Sequence, residues 1–269
     1  MSPLIGADEV ADLAGAVLLD VRWTLGGPSK EADYAAGHLP GAVWIDFDRD
    51  VCGRVGAVGG RHPLPDPEVL QVVLREAGID SGTPVVVYDD GDGMAAARTW
   101  WTLRWAGHED VRVLDGGLAA WTRSGRELTT DVPSPPPGAF TVTPGAMTVL
   151  DADEAATWAD ERELVDVRAP ERYRGENEPI DPVAGHIPGA VNLPLAEDNA
   201  SGGGLVDADT LRGRYEKHTE AAFYCGSGVG AARTALAVTA ARLPTPPIYI
   251  GSWSDWTSQG RQAATGEES

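Results

Sequence analysis

Cysteine is nearly absent from this 269-residue chain, which contains only Cys52 and Cys225. Two cysteines cannot build the framework of several disulfides that stabilises many small secreted proteins. The remaining candidate ligands, His62, His108 and His218, show no metal-ligand spacing with Cys52, so we predict neither a metal nor another cofactor. A reducing cytoplasm is the predicted location, because a lone reactive thiol survives there.

Positive charge is also scarce. Lys30 and Lys217 are the only lysines, and 21 basic residues against 41 acidic ones give a net charge of −20. A field of this sign disfavours nucleic acids and anionic membrane surfaces as partners. A small anionic substrate remains compatible with it, because a local cluster of backbone N–H groups can outweigh a distant, diffuse field.

Long apolar runs are missing as well. None approaches the roughly 18 residues that a membrane span requires, and the opening MSPLIGADEV has neither the basic start nor the apolar core of a signal peptide. An apolar content of 42% nevertheless suffices for proper cores. At about 150 residues per domain, the length predicts two domains.

Short apolar strands alternate with helical segments along the chain. The segments that predict strands are VLLDVRW at 17–23, TPVVVYDD at 83–90 and VRVLDGG at 111–117. Apolar residues at helical spacing mark PEVLQVVLREAG at 67–78 and MAAARTWWTLRWAG at 94–107. This alternation predicts an α/β fold with a largely parallel sheet.

The second half of the chain repeats the first. In order, LVDVRA (164–169) matches LLDVRW, GHIPGAVNLP (185–194) matches GHLPGAVWID (37–46), AFYCGSG (222–228) matches VVYDDGDG (86–93), and IYIGSWSDW (248–256) matches VLDGGLAAW (113–121). Between the halves, TTDVPSPPPGAFTVTPG at 129–145 is rich in Pro, Ser and Gly and predicts a semi-extended linker. We therefore predict a tandem pair of duplicated domains at 1–128 and 146–269.

The segment 225–230, called the cysteine loop below, stands between an apolar strand and an Ala-rich helix. Glycines allow successive N–H groups to turn inward, and the helix N-terminus adds unpaired N–H groups. Such a cup would stabilise a thiolate or the charge of a persulfide on Cys225, which predicts a catalytic nucleophile. A buried structural cysteine is the alternative. The first half has Asp89 at the matching position, so we predict that it is catalytically silent.

These features together resemble the two-domain rhodanese family of sulfurtransferases: the Asp-x-Arg strand, GH[LI]PGA in both halves, the cysteine loop in the second half, and GSWSDW near the end. The resemblance implies two rhodanese-like α/β domains, each a mostly parallel sheet flanked by helices. It implies that Cys225 takes a sulfane sulfur from a small anionic donor and becomes a persulfide. The sulfur would then pass to an acceptor such as cyanide, a small thiol or a thioredoxin-like protein.

The resemblance also implies roles for individual residues. Arg172 falls where the family has an arginine that grips the anionic end of the donor. Ser227 matches the serine of CGSGV loops in mercaptopyruvate sulfurtransferases and would relay a proton. His38 matches a histidine placed in that relay, although its twin His186, in the same GH-x-PG frame, favours a structural role in a turn for both. The implied donor-binding positions of the loop backbone are Gly226, Gly228, Val229 and Gly230.

The donor pattern of the family is incomplete here. Mercaptopyruvate enzymes carry a second arginine nine residues after the first, where this chain has Asp181, and they usually have Thr at the position of Gly230. Thiosulfate-specific members place basic residues directly after the cysteine, where this chain has Gly226 and Ser227. Because the loop carries no fixed positive charge, we predict 3-mercaptopyruvate as the favoured donor, with a thiosulfate:cyanide sulfurtransferase as the alternative.

Two other functions are alternatives to sulfur transfer. A cysteine phosphatase needs an arginine six residues after its cysteine, but that position is Ala231, and Arg233 comes eight residues after Cys225. A non-enzymatic binding module with a redox-sensing thiol is the more distant alternative. Such a module would show no turnover with any sulfur donor.

Overall fold

Five short strands form the parallel sheet of the first half. The strands are β1 (Leu4–Ile5), β2 (Val17–Asp20), β3 (Ala42–Trp44), β4 (Val85–Tyr88) and β5 (Val111–Leu114). The helices are α1 (Ala7–Asp12), α2 (Glu31–Ala36), α3 (Pro67–Glu76), α4 (Met94–Trp105) and α5 (Gly117–Arg123), with a π-helical turn at Phe47–Val51. The strand order is β1-β5-β4-β2-β3, and every neighbouring pair is parallel.

The second half builds the same sheet again. Its strands are β6 (Val149–Leu150), β7 (Leu164–Asp166), β8 (Val191–Asn192), β9 (Ala222–Tyr224) and β10 (Ile248–Tyr249). Its helices are α6 (Ala152–Glu161), α7 (Pro170–Tyr173), α8 (Ala208–Tyr215), α9 (Val229–Ala240) and α10 (Ser252–Ser258), with a 3₁₀ turn at Leu195–Asp198. The parallel order β6-β10-β9-β7-β8 confirms the predicted α/β class and the duplication.

This computed structural model describes residues 2–56 and 58–267, and they form two compact units. The first unit comprises Met1–Gly53, Pro65–Ala146 and Ala200–Leu205. The second comprises Arg54–Leu64, Met147–Asn199 and Val206–Ser269. Among the described residues, no helix is long and apolar enough to cross a membrane.

The segment rich in Pro, Ser and Gly between the two sheets does not by itself mark the division between the units. Residues 129–145 contain no helix or strand, and only an isolated bridge joins Thr129 to His38. They nevertheless belong to the first unit. Phe140 is only 3% exposed, and its N–H donates to the carbonyl of Ile79. Arg75 Nε donates to the Phe140 carbonyl at 2.7 Å. The segment is therefore packed against α3 and the residues that follow it.

A short stretch of the first half of the chain, the 54–64 segment, belongs to the second unit. The N–H of Gly59 donates to Asp255 Oδ1 at 2.7 Å. The N–H of Arg61 donates to Ser254 Oγ at 3.1 Å. These bonds join the segment to α10, an arrangement that the predicted boundaries at 128 and 146 do not include.

A buried ion pair follows the same strand in each unit. Arg22 Nη2 donates to Asp20 Oδ2 at 2.8 Å, with both side chains at most 4% exposed. The same guanidinium group donates to the carbonyl of Gly37 at 2.8 Å. In the second unit, Arg168 and Asp166 pair at 2.6 Å. The Asp-x-Arg motif therefore ties the end of a strand to the GH-x-PG turn.

His38 supports its turn, and the proton-relay role is not supported. The side chain is fully buried, and its ring stacks on Tyr34 with centroids 3.9 Å apart. Nδ1 lies 2.9 Å from the Tyr34 carbonyl oxygen, and Nε2 lies 3.2 Å from the carbonyl oxygen of Asp131. His186 repeats this arrangement on Tyr173. Both ring nitrogens thus lie against backbone carbonyl oxygens, which favours the structural role of His38 in the turn.

Removing one partner of the buried pair in the first unit should destabilise that unit. Asp20→Ala leaves the Arg22 charge buried without its partner, which should lower the free energy of unfolding by about 3–5 kcal/mol. The measurement is urea unfolding. The control is Asp8→Ala, which removes the pair of Arg126 with an 86% exposed carboxylate and should cost no more than about 1 kcal/mol. Equal losses for the two variants would contradict the structural role of the motif.

Candidate active site

Cys225 lies directly after β9, the central strand of the second sheet. Only 5% of the residue is exposed. Its Sγ accepts a hydrogen bond from the N–H of Gly228 at 3.1 Å and lies 3.9 Å from Ser252 Oγ. The sulfur therefore lies at the carboxyl end of a parallel strand, within reach of an N–H donor and a hydroxyl group.

The start of α10 binds the backbone of the cysteine loop. The N–H of Trp253 donates to the Cys225 carbonyl at 3.0 Å, and the N–H of Ser254 donates to the Gly226 carbonyl at 2.9 Å. Because N–H and C=O point in opposite directions across a trans peptide, the N–H groups of Gly226 and Ser227 point away from α10. The carbonyl oxygens of Cys225 and Gly226 are therefore directed toward α10, on the side opposite these two N–H groups.

The Gly251–Ser252 turn that starts α10 is strained. Ser252 has φ of +55°, a left-handed conformation that residues other than glycine rarely adopt. In that position its hydroxyl accepts the N–H of Cys225 at 3.1 Å. The strain is thus stored next to the candidate nucleophile, where it fixes the backbone of Cys225.

The N-terminus of α9 completes the cup. The helix starts at Val229 after Gly228, whose φ is +83°. The first N–H groups of a helix have no helical acceptor, and no acceptor among the described residues takes up those of Val229 or Gly230. A Cβ on Gly230 would lie 2.8 Å from Leu195 Cδ2 and 3.5 Å from Cys225 Sγ. Gly230 therefore keeps the first turn of the helix uncrowded beside Leu195 and the sulfur, and the N–H groups there could hold an anion.

Asp89 occupies the corresponding place in the first unit. Its buried carboxylate accepts the N–H groups of Gly91, Gly93 and Ala96 at 3.0–3.2 Å. Burial raises the pKa of this carboxyl group, and the backbone hydrogen bonds oppose that rise. The first unit therefore fills its own anion site with a side chain and has no sulfur there.

Arg172, on α7, lies beside the cysteine loop. Its Nη2 donates to Glu178 at 2.7 Å and to Asp181 Oδ2 at 3.2 Å. A Cβ on Gly226 would lie 3.5 Å from Arg172 Nη1, so the guanidinium group faces the residue next to Cys225. Burial raises the pKa of Glu178, but the hydrogen bonds from Arg172 and from the N–H groups of Asp181 and Ile180 outweigh it and lower that pKa. Glu178 is thus a fixed negative partner that orients Arg172.

Two site residues were missed in the sequence, and both lie on the 54–64 segment. His62 Nδ1 lies 2.8 Å from Ser227 Oγ, and both residues are at most 7% exposed. Arg61 forms an ion pair with Asp181, and its Nη2 donates to the Gly226 carbonyl at 3.3 Å. The available signal was an asymmetry of the repeat, because the first half has GGRHPLPD where the second has GGGLVD.

The chain belongs to the rhodanese family, since the rhodanese-like domain matches residues 6–124 and again 151–259. It is 43% identical over 263 residues to the "Probable 3-mercaptopyruvate sulfurtransferase" of Pseudomonas aeruginosa, covering 93% of each chain. It is 42% identical over 265 residues to the "Putative thiosulfate sulfurtransferase SseB" of Mycobacterium tuberculosis, covering 92% of each. These relatives support the prediction that the chain is a sulfurtransferase.

A solved structure shares the fold of the whole chain. The crystal structure of SseA from Escherichia coli, a 3-mercaptopyruvate sulfotransferase with the rhodanese fold, matches with a TM-score of 0.81 at 30% identity. The match covers 94% of this chain and 100% of that chain. The family and the fold predicted from the sequence are therefore confirmed.

The two cysteines should differ sharply in reactivity although each is 5% exposed. Burial raises the pKa of the Cys52 thiol to about 12, so at pH 8 only about 10⁻⁴ of it is thiolate. We expect iodoacetamide at pH 8 to alkylate Cys225 and to leave Cys52 unmodified, as measured by peptide mass spectrometry. Because its folded-state pKa is raised, Cys52 should gain reactivity only as the pH approaches 12 or when urea unfolds the chain. Equal labelling at pH 8 would contradict this difference.

Proposed function

We propose that this protein transfers sulfur from 3-mercaptopyruvate to a thiophilic acceptor through a persulfide on Cys225. The observation that carries the proposal is the placement of Cys225 Sγ against the N–H of Gly228 and the start of α9. Arg172 lies close to Gly226, and Ser227 is paired with His62. In this proposal, Cys225 is the nucleophile, the loop N–H groups and Arg172 bind the anionic donor, and Ser227 with His62 carries the proton.

In the first step, the Cys225 thiolate attacks the sulfur of 3-mercaptopyruvate. A sulfur–sulfur bond forms, the carbon–sulfur bond breaks, and its electron pair leaves with the enolate of pyruvate. That carbon needs a proton, which Ser227 Oγ would deliver and recover through His62, 2.8 Å away. Arg172 would bind the donor carboxylate, because a guanidinium group offers paired N–H donors to two oxygens.

In the second step, an acceptor attacks the outer sulfur of the persulfide. The new bond forms to that sulfur, the sulfur–sulfur bond breaks, and Cys225 leaves as a thiolate. The N–H groups of the cysteine loop would support both states, because the thiolate carries its charge on Sγ and the persulfide carries it on the outer sulfur bonded to Sγ. Cyanide, a small thiol or a thioredoxin-like protein has the required nucleophile. We place this chemistry in the reducing cytoplasm, where a persulfide-forming thiol is maintained.

Charge around the loop favours 3-mercaptopyruvate over thiosulfate. Arg61 and Arg172 lie beside the loop, but they pair with Asp181 and Glu178, so the four charges sum to zero. A monoanionic carboxylate fits such a cluster better than the dianion of thiosulfate. Thiosulfate is therefore expected as a slower second donor. Higher kcat/KM for thiosulfate in steady-state assays would reverse this preference and leave the persulfide chemistry standing.

Loss of the Cys225 sulfur should abolish sulfur transfer. In Cys225→Ala, no thiolate remains to accept the sulfane sulfur, so pyruvate release from 3-mercaptopyruvate should fall to background. Mass spectrometry of donor-treated wild type should find one added sulfur on the peptide that contains Cys225. The matched control, Cys52→Ala, should keep kcat within a few-fold because that thiol stays protonated. A persulfide on Cys52 alone, or activity in Cys225→Ala, would refute the mechanism.

Loss of the Ser227–His62 pair should lower kcat more with 3-mercaptopyruvate than with thiosulfate. Ser227→Ala and His62→Ala should lower kcat with 3-mercaptopyruvate by about 10²- to 10⁴-fold, because the pyruvate carbon needs a proton. With thiosulfate the leaving group is sulfite, which needs no proton on carbon, and the loss should be much smaller. His218→Ala, a partly exposed histidine paired with Glu163, serves as the control. Equal losses with both donors would rule out the relay.

A further inference from the structure

The Asp181 carboxylate binds two arginines, Arg61 and Arg172, beside the cysteine loop. Asp181 Oδ1 pairs with Arg61 Nη1, and Asp181 Oδ2 accepts a hydrogen bond from Arg172 Nη2 at 3.2 Å. The Asp181 side chain is 2% exposed, whereas those of Arg61 and Arg172 are 28% and 16% exposed. The acid is thus the buried member, and the two guanidinium groups extend from it toward solvent.

Both guanidinium groups face the same point on the loop. A Cβ on Gly226 would lie 3.2 Å from Arg61 Nη2 and 3.5 Å from Arg172 Nη1. Gly226 follows Cys225 directly and has no side chain to fill this space. A small anion held between the two groups would therefore lie beside the residue adjacent to the nucleophile.

Each arginine keeps N–H donors that the protein does not use. Arg172 turns Nε and Nη2 to Glu178 and Asp181, and no acceptor among the described residues takes up its Nη1. Arg61 directs Nη1 to Asp181 and Nη2 to the Gly226 carbonyl, and each of these nitrogens carries a second N–H. A guanidinium group has five N–H donors, so these two retain capacity for the oxygens of a bound carboxylate.

We infer that Arg61 binds the carboxylate of the sulfur donor together with Arg172, and that Asp181 is the positioning residue that aims both. The inference rests on the function proposed above. It also explains why this chain has an acid nine residues after Arg172, where an arginine would complete the donor site of related enzymes. The second guanidinium group arrives instead from the 54–64 segment, and the acid at 181 holds it in place.

The first test is Arg61→Ala with 3-mercaptopyruvate as donor. Loss of a charge-assisted contact to the carboxylate should raise KM by about 10- to 100-fold, whereas kcat should change little because no reacting atom is removed. Arg54→Ala, at an exposed arginine of the same segment, is the matched control and should leave KM unchanged. Inhibition by pyruvate, which carries the same carboxylate, should weaken in parallel with KM.

The second test separates donor binding from a purely structural ion pair. Asp181→Asn keeps both arginines but loosens their aim, so KM should rise less than in Arg61→Ala. The double variant Arg61→Ala/Asp181→Arg restores a second guanidinium group next to Arg172 without restoring the ion pair. If Arg61 binds the donor, this variant should have a lower KM than Arg61→Ala.

The outcomes distinguish this inference from the proposed function. Wild type that forms no persulfide with 3-mercaptopyruvate would refute the function itself. Active wild type with an unchanged KM in Arg61→Ala would overturn only the role of Arg61, whatever the change in Tm. A folded double variant whose KM stays at the Arg61→Ala value would also overturn it, because the ion pair would then be structural. If the double variant does not fold, the KM of Arg61→Ala and its inhibition by pyruvate decide whether Arg61 binds the donor.

Discussion

A buried aspartate decides where the cysteine loop begins. Asp166 ends β7 and pairs with Arg168, whose guanidinium group also donates to the carbonyl of Gly185 at 2.6 Å. Burial and the neighbouring Asp166 charge raise the pKa of Tyr224 well above its usual value, so its hydroxyl stays protonated and donates to that carboxylate. Tyr224 is the last residue of β9, and Cys225 follows. The position of the sulfur thus depends on this network. Removal of the Asp166 carboxylate would leave the Arg168 charge buried without that partner.

The duplication shows two uses of one anion site. Both units end a central strand in a glycine-containing loop and then begin a helix of 12 residues after a glycine with positive φ. In the first unit, Asp89 fills the site from within the chain. In the second, the sulfur of Cys225 takes that place, and the helix N-terminus is available for charge on sulfur. At this one position the two halves therefore differ by a single side chain on a shared backbone design.

The net charge of −20 is a poor guide to what this site attracts. Beside the cysteine loop lie N–H donors and the arginines Arg61 and Arg172, each paired with a buried acid. Fixed dipoles at a few ångströms act more strongly on a bound anion than surface charges that solvent screens. In the proposed function, the buried acids would hold the guanidinium groups in one orientation before the donor binds.

The sequence alone determined the fold class, the family and the tandem duplication, because these are written in contiguous patterns. Strand, cysteine loop and helix follow one another within about twenty residues, and the matching order of four motifs revealed the repeat. Cys225 was singled out in the same way, and its persulfide remains a prediction.

Only the tertiary structure brought Arg61 and His62 to the site. They lie 120 and 165 residues before their partners Asp181 and Ser227, and no periodicity records a contact over that distance. For the same reason the sequence left His38 as a candidate relay until its ring nitrogens were found on carbonyl oxygens. The local spacing of apolar residues determines which helices and strands form. Which side chains come into contact depends on how the tertiary fold brings distant parts of the chain together.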